Sequence, residues 1–144
     1  MEKSSIPKAI FIVFIVSTLI GTKLHSQCDT IANFCEKHLA KKYITDGQEY
    51  RSLLFNNEET AEFKTTFFGE TTYRLAACSG LQDNNLIFSI YDQERNLLFT
   101  NKDFKNAPYW DFKIENTLDV LIEAKLSESN TKSGCAVLLI GFMK

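Results

Sequence analysis

Residues 110–126 read WDFKIENTLDVLIEAKL, and the alternation within them decides the fold class. Trp110, Phe112 and Ile114 alternate with Asp111, Lys113 and Glu115. After a break at Asn116, Leu118, Val120, Ile122, Ala124 and Leu126 alternate with Asp119, Glu123 and Lys125. A period of two sends successive side chains to opposite faces, so each run predicts a strand with one face on a core and one in water.

The same signal extends outward in both directions. Ala61, Phe63, Thr65 and Phe67 carry it upstream, as do Tyr73, Leu75 and Ala77. Residues 85–91 (NLIFSIY) and 96–100 (NLLFT) flank the polar Asp92-Gln93-Glu94-Arg95, which predicts a hairpin. Residues 135–143 (CAVLLIGFM) are apolar at every other position on both phases, the pattern of a central strand covered on two faces. Only residues 28–40 break the β pattern. There Cys28, Ile31, Cys35, His38 and Leu39 recur at helical spacing, with Asp29 or Thr30 as the expected N-cap. Asp46-Gly47 marks the following turn. The prediction is a mainly β protein: an antiparallel β-sandwich of about seven to eight strands preceded by one amphipathic N-terminal helix.

The N-terminus predicts export. Lys3 and Lys8 precede an uncharged run, residues 9–20 (AIFIVFIVSTLI), which is the length of a signal h-region, whereas a bilayer span takes about 20 residues. Lys23-Leu24-His25-Ser26 is a short polar exit, with a cut expected before Gln27. An uncleaved anchor and lipidation at Cys28 are the alternatives, the latter disfavoured by Gln27 at the position where a lipobox needs a small residue. The expected organisation is a signal peptide over 1–26 and one domain over 27–144, periplasmic or extracellular, with no membrane contact after cleavage. Without the three lysines and one glutamate of residues 1–26, the 16 basic and 18 acidic residues become 13 and 17, a net charge of −4. That balance argues against nucleic acid as a partner.

The stretches Tyr73-Arg74-Leu75-Ala76-Ala77-Cys78, Leu86-Ile87-Phe88-Ser89-Ile90-Tyr91-Asp92 and Asn96-Leu97-Leu98-Phe99 resemble a bacterial pre-peptidase C-terminal type β-sandwich. The whole chain after residue 26 is similar to small exported proteins of Gram-negative bacteria. The first resemblance implies an accessory or binding module and brings no functional residues with it.

Four cysteines, Cys28, Cys35, Cys78 and Cys135, follow the export signal, and an even count in an oxidising compartment predicts two disulfides. Cys28 and Cys35 on one helix would stand about 10 Å apart, too far to bridge. Cys78–Cys135 is the favoured pairing, with helix-to-sheet bridges next. A metal site on Cys28, Cys35 and His38 lacks the close spacing of zinc ligands, so no metal or cofactor is expected.

Beyond residue 26, His38 is the only histidine, and no nucleophile elbow occurs. No catalytic residue is therefore assigned. Asp111, Glu115, Asp119 and Glu123 are expected on one solvated sheet face, with ordinary acidities. Asp92, Glu94 and Asn96 echo a calcium loop, but Leu97 stands where that loop needs glycine, leaving a plain turn.

The weak ligand candidates are Lys105, Asn106, Tyr109 and Trp110, an aromatic loop beside polar groups of the kind that stacks on sugars or peptides. By alternation Trp110 points inward and Tyr109 outward. The expectation is an exported, non-enzymatic binding module for a protein, peptide or glycan. The alternative is a small secreted enzyme or enzyme inhibitor. A third reading, self-association, requires the final apolar strand at a sheet edge.

Overall fold

The computed structural model describes residues 22–45, 47–128 and 133–143. Most of the expected signal segment, residues 1–21, lies outside them, as does Asp46 of the expected turn. Eight strands form two antiparallel four-stranded sheets: β1 (Glu49–Leu54), β2 (Ala61–Phe67), β3 (Thr71–Cys78), β4 (Leu86–Tyr91), β5 (Leu97–Thr100), β6 (Tyr109–Ile114), β7 (Leu118–Leu126) and β8 (Gly134–Met143). The first sheet runs β1-β8-β3-β6 and the second β2-β7-β4-β5. They stack face to face as a β-sandwich, as the alternation predicted.

The core between the sheets collects the inward phase of each strand. Ala61 and Phe67 of β2 meet Tyr73, Leu75 and Ala77 of β3 there, together with Leu86, Phe88 and Ile90 of β4. Val120, Ile122, Ala124 and Leu126 of β7 and Ala136, Leu138 and Ile140 of β8 complete it. In β6 the alternation holds: Trp110, Phe112 and Ile114 are half-buried, and Tyr109, Asp111 and Lys113 are exposed. β8 is central, between β1 and β3, and this removes the self-association route through an exposed final strand.

The outer face of the first sheet carries a third layer. Helix α1 (Thr22–Cys35) lies on β8 and β3 and runs on into a 3₁₀ turn (Glu36–His38). Cys28, Ile31, Ala32 and Cys35 bury against Ala76 and Cys78 of β3 and Cys135, Val137 and Leu139 of β8. This explains why β8 is apolar on both phases: one faces the sandwich core and the other faces the helix. The helix starts earlier than expected, so Asp29 and Thr30 lie within it rather than at its N-cap, and Asp29 pairs with Arg51 of β1 instead. Leu39, expected on the helix, already has extended backbone.

The cysteines pair Cys28–Cys135 and Cys35–Cys78, and no described cysteine is free. The expected Cys78–Cys135 bridge is thereby corrected. In the β3–β8 register Cys78 sits opposite Val137, two residues from Cys135. Such diagonal neighbours stand about 7–8 Å apart, beyond the reach of a disulfide. Both instead point outward at the helix, whose two cysteines, two turns apart, match that diagonal; each bridge has its Cα atoms 5.5 or 5.8 Å apart.

A second correction concerns the carboxylates. Asp111 belongs to the first sheet, while Asp119 and Glu123 belong to the second, because the chain crosses between sheets after Ile114. They do not share a face. The crossing turn packs tightly on the β2–β3 turn: a Cβ on Gly69 would come within 2.8 Å of the Glu115 carbonyl oxygen. Gly141 plays the same part where the segment after the helix crosses β8, since a Cβ there would meet Tyr43 Cβ at 2.9 Å.

Candidate functional site

The β1–β2, β3–β4, β5–β6 and β7–β8 connections all emerge at one end of the sandwich, as the antiparallel registers require. The β5–β6 connection contains Lys105 and Asn106 and leads into Tyr109 and Trp110. Its organiser is Asn101, in a 3₁₀ turn (Asn101–Phe104), fully buried and held by three side-chain hydrogen bonds. Its Oδ1 accepts from Phe88 N–H at 2.9 Å, and its Nδ2 donates to the carbonyls of Leu86 and Ala107, each at 3.0 Å. A buried amide whose oxygen and both N–H groups have partners ties the loop to β4. No sequence period marks Asn101; only its burial does.

Lys105 and Asn106 adopt left-handed backbone, φ 57° and 54°, and so does Asn84 (φ 70°) in the neighbouring β3–β4 loop. These conformations let the two loops brace one another. Asn84 Nδ2 donates to the Lys105 carbonyl, while Asn106 Nδ2 donates to the Asn84 carbonyl and to Ser127 Oγ. Ser127 N–H in turn donates to the Asn85 carbonyl. The Asn106 amide is thus part of the scaffold, and the Lys105 side chain stays exposed.

From this braced end, large apolar side chains project into solvent. Phe55 of the β1–β2 loop is 67% exposed, Leu81 of the β3–β4 loop 61%, and Phe104 of the β5–β6 loop 46%. None of the three is marked in the sequence, because a single apolar residue in a polar loop has no period. Both disulfides reach the sheet close to this end, at Cys78 and Cys135.

Tyr109 and Trp110 part company, as their opposite phases require. Trp110 turns to the interior flank, 4.2 Å from the Phe104 ring and 5.2 Å from Phe99. Tyr109 lies on the helix side, its ring 4.3 Å from the Arg74 guanidinium carbon and 5.6 Å from the His38 ring. Arg74 is the hub there. It donates two hydrogen bonds to Asp111 at 2.6 and 2.8 Å and a third to the His38 carbonyl, and it lies between the rings of Tyr43 and Tyr109. Bonding to Arg74, partly opposed by burial, holds the Asp111 carboxyl below its usual range. Burial, then the bond to Asp111, raises the Tyr43 phenol. His38 Nε2 lies 2.8 Å from Asp83 Oδ1, which ties the end of the helical segment to the β3–β4 loop. The arrangement clamps the end of the helical segment to β3, β6 and the β3–β4 loop. Cys28 and Cys35 are both in disulfides. Among the described residues no group of three or more His, Cys, Asp or Glu side chains is placed to hold a metal ion.

No family model matches the chain, and no curated protein does. The resemblance to the pre-peptidase C-terminal sandwich is accordingly not shown. Among solved structures, the chain is similar to Aeromonas hydrophila PliG, a periplasmic lysozyme inhibitor of g-type lysozyme. The TM-score is 0.51 at 11% identity, over 72% of this chain and 90% of that one. At that identity the likeness is one of fold alone.

Proposed function

We propose that this chain is an exported protein-binding domain of the enzyme-inhibitor kind, which acts by occupying its partner through the loop end. The observation that carries this reading is the end itself: exposed apolar side chains on loops braced by hydrogen bonds and backed by two disulfides. Preorganised apolar anchors gain affinity because little conformational freedom remains to be lost on binding. The two disulfides support an oxidising compartment, and the shared architecture with a periplasmic lysozyme inhibitor makes a lysozyme the first partner to test.

The test is a cell-wall lysis assay with the exported protein added to g-type and other lysozymes. Inhibition is expected to saturate with dose, and Leu81→Asp with Phe55→Asp is expected to raise the half-inhibiting concentration by about tenfold or more, with unchanged circular dichroism. Full lytic activity at excess protein, with no complex in size-exclusion chromatography, would overturn the inhibitor reading.

A further inference from the structure

We infer that the flank between β5 and β6 is a second interaction surface, adjoining the loop end at Phe104, one that takes up an extended acidic segment of a partner protein as an added strand along β6. This stands whether or not the loop end inhibits an enzyme. β5 and β6 are edge strands, one from each sheet (β1 and β2 form the opposite edges), β5 bonded only to β4 and β6 only to β3, and they lie one above the other. Free edges present unpaired backbone donors and acceptors, a template for another strand.

The side chains of this flank are apolar and incompletely covered. Phe99 contacts the rings of Trp110, Phe112 and Phe104 at 5.2, 4.9 and 5.6 Å, and all four rings keep solvent exposure. A register shift in the β4–β5 pair leaves both Leu97 and Leu98 at least half exposed. A shallow groove of about 500 Å³ runs along residues 107–111 beside the β6 edge.

Charge selects the occupant. Lys102, Lys105 and Lys113 are exposed here and enter no ion pair among the described residues. Lys37, Arg51, Arg74 and Arg95 are paired, while Lys41, Lys42, Lys64 and Lys125 elsewhere on the surface are, like these three, exposed and outside any ion pair among the described residues. Of the carboxylates nearby, Asp111 is held by Arg74, leaving Asp103 and, past the strand end, Glu115. Edge lysines repel a basic strand and a second copy bearing the same lysines, whereas an acidic strand reverses the sign of that interaction.

Trp110 is the only tryptophan of the chain and lines this groove, so its emission reports occupancy directly. The probe is a blocked octapeptide alternating Glu and Val, compared with its Lys-and-Val counterpart, titrated at low and physiological salt. The expected result is a saturable blue shift with the Glu peptide, weakened by salt and absent with the Lys peptide. The Lys102→Glu/Lys105→Glu/Lys113→Glu variant, all exposed positions, should lose affinity by about tenfold or more, while Leu81→Asp leaves it unchanged. Equal response to both peptides, an unaffected triple variant, a concentration-dependent dimer in place of peptide binding, or no response at all would each overturn the proposal.

Discussion

At the scale of single residues, two polar side chains decide how the loop end and the helix layer are held. Asn101 makes three hydrogen bonds from a fully buried position. Replacing it by alanine strands one backbone donor and two acceptors away from water. The expected cost is roughly 3 kcal/mol, measured as a lower urea midpoint with unchanged m-value. The Arg74–Asp111 pair works through charge. Because Asp111 is held below its ordinary range, its contribution is fully present above about pH 4 and fades as pH falls through the lowered folded-state value. Asp111→Asn should therefore be less stable than wild type near pH 6, by about 1 kcal/mol given partial exposure of the carboxylate, and should converge with it in acid. Urea unfolding across that pH range checks both halves; a constant gap would show that pairing is not the source.

Among elements, the helix is the one held from outside itself. Its amphipathic face was legible from Cys28, Ile31 and Cys35, and these residues bury as that spacing implied. Two disulfides then anchor it to adjacent strands, closing stretches of 107 and 43 residues. Loop-closure entropy assigns roughly 4–5 kcal/mol to each, with only a weak advantage for the longer. The paired variants Cys28→Ser/Cys135→Ser and Cys35→Ser/Cys78→Ser are thus expected to lose similar stability, commonly 2–5 kcal/mol each by urea titration. Proteolysis should first cleave near residues 36–48 in either variant, where the helix lifts from the sheet. β5 is the opposite kind of element, a short edge strand whose two exposed leucines follow from a register shift that no local pattern announces.

For the whole molecule, the three layers have a bearing on export. Both helix cysteines and the buried Ile31 and Ala32 come after the expected cut before Gln27. Cleavage there would leave every disulfide and the helix–sheet contact in place. Mass spectrometry of exported protein is expected to give a chain beginning at Gln27 and four hydrogens lighter than its reduced form. A chain beginning at residue 1 would remove the signal-peptide reading.

The identity of β2 to β8, the sandwich and the central place of β8 were legible in the sequence, because side-chain alternation is a local property written residue by residue, as Trp110, Phe112 and Ile114 show. β1, whose exposed residues include Glu49 and Arg51, carried no clear alternation. Cysteine pairing was not legible, since it depends on which strands become neighbours and in what register. Cys78 and Cys135 are both outward-facing, and only the β3–β8 register sets them diagonally apart and hands each to the helix. The same holds for the candidate surfaces. Tyr109 and Trp110 carried their opposite phases in the sequence, but the bracing of Asn84, Asn106 and Ser127, and the meeting of Phe99 with Trp110, join residues far apart in the chain. Periodicity told which way each side chain points; only the packed sheets decided what it meets.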